Sequence, residues 1–212
     1  MAALEPAIDD LEHLGAQELI AEAAARYPRL AVACSFQKEA SAILDMVVRA
    51  APAARVFTLD TGALFPETRE AWRTLEAHYD ITIEGVHGEQ IDRQWERDPD
   101  RCCELRKVRP LRETLAGADA WIAGLRREQS PERADTPKLD WDRKHELWKL
   151  NPLADWTEAD VWRYIAANDV PYHQLHDRGY ASIGCWPCTR PGDGREGRWN
   201  GLDKVECGIH VA

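Results

Sequence analysis

Short apolar runs alternate with helix-length amphipathic segments along most of the chain, and this alternation limits the folds open to it. LAVAC (30–34), RVFTLD (55–60), ITIEGV (81–86), ADAWIAGL (118–125) and LWKLNPL (147–153) each have the length of a buried strand. The segments between them carry apolar residues at helical spacing. DDLEHLGAQELIAEAAARY (9–27) places Leu11, Leu14, Leu19 and Ile20 on one face and stops before Pro28. SAILDMVVRA (41–50) reads as a second helix. TGALFPETRE turns into a third, with Pro66 near its first turn. CCELRKVRPLRETLAG opens another helical segment, expected to break near Pro110. DWTEADVWRYIAAND is a helix capped by Asp155 or Thr157, with Val161, Tyr164 and Ile165 as its apolar stripe. RREQSPERADTPK (126–138) reads as a loop, and the chain is irregular from Pro171 onward. Strands alternating with helices predict an α/β domain on a doubly wound, mostly parallel sheet. In such sheets ligands sit outside the carboxyl ends of the strands. SFQKEA, DTGALF, the segment around His87 and RREQS follow those ends here. A nucleotide site along that edge is the expectation.

A chain of 212 residues buries an ample core without disulfides, and its 6 cysteines do not stand at framework spacings. The first residues, MAALEPAIDDLEHLG, have neither a basic nor an apolar leader region, and no apolar run reaches the roughly 18–20 residues that span a bilayer. The expectation is a cytoplasmic protein with reduced thiols and no membrane contact. The net charge of -10 argues against general nucleic-acid binding. An anionic small ligand needs only a locally basic site. Arg106, Lys107 and Arg109, Arg126 and Arg127, and Arg190, Arg195 and Arg198 form three such clusters beside cysteine or glycine stretches.

The cysteines narrow the chemistry further. Cys102 and Cys103 are adjacent, and Cys185 and Cys188 form a distant C-x-x-C. Four thiolates suit structural zinc or a [4Fe–4S] cluster. Both sulfurs of an adjacent pair reach a single ion with difficulty, whereas the separate iron corners of a cubane accept one each. The vicinal pair therefore fits a multi-metal cluster better than one ion. Cys34 lies in an apolar run and reads as core. His173 and His176 form an H-x-x-H, but the cysteines already supply a complete metal site.

CCELRKV, IGCWPCTRP and ECGIH, with LDTGALFPET, GLRREQS and VPYHQLHDRGYASIGC in order between and around them, resemble the assimilatory adenylylsulfate (APS) reductases of bacteria. The resemblance covers most of the chain. It implies a fold similar to the adenine nucleotide α-hydrolases, whose phosphate loop reads S-G-G-x-D-S. Here the loop is Ser35-Phe36-Gln37-Lys38-Glu39-Ala40, which lacks both glycines and the final serine. That departure suits a short phosphosulfate better than ATP.

By the same resemblance, the chain reduces APS to sulfite and AMP in sulfate assimilation. It implies Cys207 as the nucleophile, an enzyme S-sulfocysteine, and thioredoxin (or glutaredoxin) as reductant. It makes Cys102, Cys103, Cys185 and Cys188 ligands of a [4Fe–4S] cluster. Lys107 would lie between cluster and substrate. Ser35 and Phe36, Asp60, Thr61 and Gly62, Arg126 and Arg127, and Arg195 and Arg198 would line the substrate site. A PAPS or dual APS/PAPS reductase is the neighbouring alternative, although relatives specific for PAPS generally lack the cluster cysteines. Residues 1–191 are expected to form the reductase domain. Residues 192–212, rich in glycine and poor in apolar residues, are expected to form a flexible segment carrying Cys207. Homo-oligomerisation is left open.

Overall fold

The computed structural model describes residues 11–199, 204 and 206–210. Its elements run α1 (Ala16–Arg26), β1 (Leu30–Ala33), α2 (Lys38–Ala50), β2 (Arg55–Asp60), α3 (Pro66–Tyr79), β3 (Glu84–His87), α4 (Gln94–Arg97), α5 (Pro99–Cys103), α6 (Arg109–Leu115), β4 (Ala120–Ile122), β5 (Leu139–Asp142), β6 (Leu147–Leu150) and α7 (Glu158–Ala167). The strands form one sheet in the order β3-β2-β1-β4-β6-β5, parallel except for the β5–β6 pair. The expected doubly wound architecture is present. Among the described residues no helix is long and apolar enough to cross a membrane.

Alternation along the strands builds a core on each face. Leu30 and Val32 of β1, with Ala120 and Ile122 of β4, pack on Leu19 and Ile20 of α1, Ile43 and Met46 of α2, and Val161 and Ile165 of α7. α3 continues that layer, with Ala71 and Leu75 packed beside Leu44 of α2. Ala31 and Trp121 point to the other face and meet Leu111 and Leu115 of α6. Strand order reverses between β1 and β4, so the loops after them diverge and leave a crevice at the carboxyl edge.

Several elements differ from the sequence pattern. α1 starts at Ala16, because Gly15 is extended and its N–H donates to Glu18 Oε2 at 2.9 Å; Asp9 and Asp10 lie outside the described residues. β3 begins at Glu84, since Asp80 ends α3 in the left-handed region and Glu76 Oε1 accepts the N–H of Ile83 at 2.7 Å. β5 had no counterpart in the pattern. It is an edge strand, LDWD, with two acidic residues and Trp141 exposed, and it pairs only with β6. Pro110 does not break its helix. A π-helical turn, Glu104–Val108, joins α5 to α6, with the N–H of Arg109 donating to Glu104 O. The wider turn accommodates a residue that cannot donate, and it re-aims the side chains before it. Its backbone is pressed against Gly88: a Cβ there would lie 2.2 Å from Leu105 O.

The H-x-x-H is structural. The backbone N–H of Leu175 donates to His173 Nδ1 at 3.2 Å, which leaves Nε2 to carry the proton towards Thr68 Oγ1, 2.8 Å away on α3. His176 Nε2 accepts the N–H of Lys38 at 3.2 Å, so its Nδ1–H donates to Tyr180 O at 2.8 Å. The pair thus fastens the segment before the C-x-x-C to the starts of α2 and α3. Burial, then His176, lowers the His173 pKa to about 4. The ring is neutral when folded and titrates near 6.5 when unfolded, so its stabilisation is complete above about pH 6.5 and lost as pH falls towards 4. Urea unfolding is expected to lose on the order of 3 kcal/mol across that window. A His173→Gln variant should flatten the dependence; an unchanged pH profile would contradict the assignment.

Candidate active site

The loop between β1 and α2 is the first wall of the crevice. Phe36 has φ of 64°, a left-handed conformation that costs a side-chain-bearing residue roughly 1–2 kcal/mol. Burial offsets this: Phe36 is 1% exposed and stacks on Trp72 with centroids 5.5 Å apart. A backbone shape usually given to glycine is therefore held by packing. α2 begins at Lys38 with Gln37 as its N-cap. Lys38 Nζ is committed to Ala181 O and Glu158, each at 3.1 Å. Glu39 Oε1 accepts from Arg126 Nε and Nη2 at 3.0 and 2.9 Å, a buried pair in which neither charge is left alone.

The crevice is a cavity of about 270 Å³. Ser35, Phe36, Thr61, Lys107, Arg126, Arg195, Arg198 and Cys207 all line it, from six separate stretches of chain. Asp60 and Gly62 stand behind this wall: Asp60 accepts from Arg69 Nη1 and Nη2, both at 3.1 Å, and from the N–H of Gly62 at 3.0 Å. Arg127 also lies outside the lining. It pairs with Glu12 and donates to Thr136 O at 2.9 Å. Arg198 donates to Ser182 Oγ at 3.1 Å and lies over Trp199, 4.5 Å from the ring centroid. A Cβ on Gly184 would meet Arg198 Nη2 at 2.4 Å, so glycine there makes room for the guanidinium.

Glu206, Cys207, Ile209 and His210 of the tail line the crevice. Glu206 bridges Arg133 Nη2 at 2.5 Å and Arg195 Nη2 at 3.0 Å. Lys144 Nζ donates to Gly208 O at 2.5 Å. Ile209 packs on the cluster around Trp121, and the His210 ring stacks on Trp121 at 5.7 Å. Burial, then Lys149, holds His210 well below the ordinary histidine value, so the ring is neutral. Residues 192–199 are tied back by the Tyr180↔Gly192 and Thr189↔Arg198 bridges.

Beneath the crevice is a second cavity of about 20 Å³. Cys102, Cys103, Cys185 and Cys188 all line it, with Trp95, Trp199 and Lys107. Cys102 and Cys103 come from α5, before the π turn; Cys185 caps a short 3-10 turn, Trp186–Cys188, which Cys188 ends. Burial raises Cys102 and Cys188 and pushes Cys103 up to about 12. Burial acts on Cys185 in the same direction, but the Lys107 ammonium and Thr61 Oγ1, 3.2 Å from its sulfur, outweigh it and hold this thiol below its ordinary value. Lys107 is half-buried. Burial disfavours its charge, yet the facing sulfurs of Cys185 and Cys207 keep its pKa above the usual lysine value. The donor set is four soft sulfurs around one dry, cation-backed space, and this fits a thiolate-held metal group. Among the described residues no three His, Cys, Asp or Glu side chains form an ion-holding group on their own.

The phosphoadenosine phosphosulfate reductase domain matches residues 29–191. The chain belongs to this family. Curated relatives include the adenosine 5'-phosphosulfate reductase of Salinibacter ruber, 45% identical over 86% of this chain and 78% of that one. Adenosine 5'-phosphosulfate reductase 1 of Bacillus subtilis is 43% identical over 97% and 96%. Among solved structures, the phosphoadenylyl-sulfate (PAPS) reductase of Candida auris, in a phosphate complex, superposes with a TM-score of 0.80 at 29% identity, covering 90% of this chain and 99% of that one. The U34-tRNA thiolase of Methanococcus maripaludis, solved with its [4Fe-4S] cluster, shares the fold at a TM-score of 0.52 and 14% identity, covering 75% and 65%.

This PAPS reductase family member brings together on one cavity eight of the eleven residues expected at the substrate site, from six separate stretches of chain. Arg133, Lys38 and Gln129 also line it and were not anticipated. For Arg133 a signal existed: it follows GLRREQS by three residues, on the 3-10 turn Pro131–Arg133. Lys38 and Gln129 carried a signal as well, since they lie within the Ser35–Ala40 loop and within GLRREQS.

Proposed function

We propose that the chain is a reductase of APS that releases AMP and sulfite in sulfate assimilation and uses thioredoxin or glutaredoxin as electron donor. The observation that carries this reading is the meeting of Cys207 with Lys107, Arg195, Arg198 and the Ser35–Phe36 loop on one cavity. The names of the full-length relatives support the substrate.

The Cys207 thiolate attacks the sulfur of the phosphosulfate. A sulfur–sulfur bond forms, the bond from sulfur to the bridging oxygen breaks, and its electron pair leaves with AMP. Lys107, Arg195 and Arg198 hold the sulfate and phosphate oxygens. Ser35, Phe36 and Thr61 meet the nucleotide at the strand ends. Asp60 and Gly62 act through the turn that carries Thr61, and Arg126 and Arg127 through the turn on the opposite wall. The segment 192–212 then opens and presents the S-sulfocysteine to the protein dithiol. One donor thiolate attacks Cys207 Sγ and sulfite departs with the bonding pair. The second donor thiol resolves the mixed disulfide, so the two electrons come from the dithiol. Cys34 takes no part: it is 3% exposed and burial pushes its thiol up to about 12.

Cys102, Cys103, Cys185 and Cys188 are the proposed holders of a [4Fe–4S] cluster. When bound, that group supplies a covalent tie between α5 and the C-x-x-C turn and a fixed charge beside Lys107. Dithiol chemistry of this kind suits the cytoplasm.

Anaerobic turnover with APS and PAPS in parallel, with reduced thioredoxin, tests the reading. Sulfite and AMP from APS are expected, with PAPS slower, and about four irons and four sulfides per chain. Faster turnover of PAPS would reassign the substrate. Sulfite from neither would overturn the activity, and stoichiometric zinc without iron would remove the cluster.

A further inference from the structure

A carboxylate next to a thiolate nucleophile is electrostatically awkward, yet Glu206 directly precedes Cys207. The cavity explains it. Arg133 and Arg195 approach there from two different loops, and their side chains are only 10% and 20% exposed. Burial, then repulsion from Arg133, pushes Arg195 down to about 10, so the two guanidiniums together call for an anion. Glu206 supplies it, one carboxylate oxygen to each arginine, with its own side chain 11% exposed. Arg133 is in turn fixed by Gln129, whose Oε1 accepts from its Nη1 at 2.5 Å.

Cys207 is thus held from both sides. On its C-terminal side the anchors are the Gly208 carbonyl on Lys144 and the His210 ring on Trp121. On its N-terminal side the anchor is the two-arginine bridge. The described tail residues form no helix or strand of their own, so such anchors set where the sulfur points.

We propose that Arg133 and Glu206 are positioning residues, and that the Arg133–Glu206–Arg195 bridge aims Cys207 into the cavity for attack. This deepens the proposed APS reduction and rests on it for its catalytic consequence, but the bridge itself is testable without substrate.

The experiment follows alkylation of Cys207 by iodoacetamide in holoenzyme without substrate, read by peptide mass mapping, for wild type, Glu206→Gln and Arg133→Gln. Both variants should react about tenfold faster, the loss of one charge-assisted contact. Sodium chloride should change the wild-type rate little, because a bridge this buried is screened far less than a surface pair. With APS and no reductant, the variants should release AMP about tenfold more slowly at saturation, with little change in APS affinity. A merely structural role would not produce that split. Alkylation rates equal to wild type in either variant, with far-UV circular dichroism matching wild type, overturn the bridge, and if one variant fails to fold the other decides. Absence of AMP release by wild type would instead count against APS as substrate and leave the alkylation result intact.

Discussion

Cys207→Ser is expected to abolish AMP release from APS while the protein keeps its metal content and its affinity for APS. Loss of a covalent nucleophile costs on the order of 10^4-fold or more, because the remaining groups orient the substrate and cannot replace the attacking atom. A serine hydroxyl holds its proton too tightly to substitute at neutral pH. The wild-type protein given APS without reductant should release AMP once per chain and retain a sulfonate on Cys207. The site offers few competitors. Cys34 lines the cavity, but its buried thiol is pushed up to about 12; Cys102, Cys103 and Cys188 face the lower cavity, and Cys185, which lines both, is a proposed cluster ligand. Peptide mass mapping decides the matter: a sulfonate on Cys34, or turnover by the serine variant, would name a different nucleophile.

Lys107→Ala should lower turnover of APS by roughly 10^2–10^3-fold, the usual cost of removing one preorganised charge from a water-poor site. Lys107 is the one residue that lines both cavities together with Cys185, among the described residues. Its ammonium faces the sulfurs of Cys185 and Cys207, so it stands between the tail cysteine and the cysteine-lined space. The π turn puts it there, since Lys107 lies within Glu104–Val108. Far-UV circular dichroism and iron content should stay close to wild type, because the fold does not depend on this side chain. Kinetics with APS equal to wild type would refute its placement between the two.

Much of this arrangement was legible from local pattern. The strands at 30–33, 55–60, 120–122 and 147–150 fell within apolar runs, because strands covered on both faces are mostly apolar, even where Arg55, Asp60 or Lys149 interrupts the run. β5 escaped because an edge strand that alternates Leu139 and Trp141 with aspartates lacks the continuous apolar run that marked the others. Pro110 read as a break because the rule for proline concerns the α-helical ladder, and a π turn relaxes that ladder. The histidines read as an unassigned motif because tautomer and partner depend on Thr68 and Lys38, more than one hundred residues away in sequence. At the site, cysteines and arginines stood out by type and spacing. Arg127 carried the same signal as Arg126, yet one turns to Glu12 and the other to Glu39 in the cavity wall.

The sequence by itself determined the doubly wound sheet, the edge at which the site lies, and the identity of the sulfurs and cations available to it. These follow from periodicity and residue chemistry, which are local properties. The tertiary structure alone decided which of those groups converge. It set Phe36 in a glycine-like conformation against Trp72, turned Asp60 towards Arg69, and brought Glu206 between two arginines from separate loops. Convergence depends on how far-apart segments pack and on which buried charge finds a partner, and no stretch of chain encodes that alone.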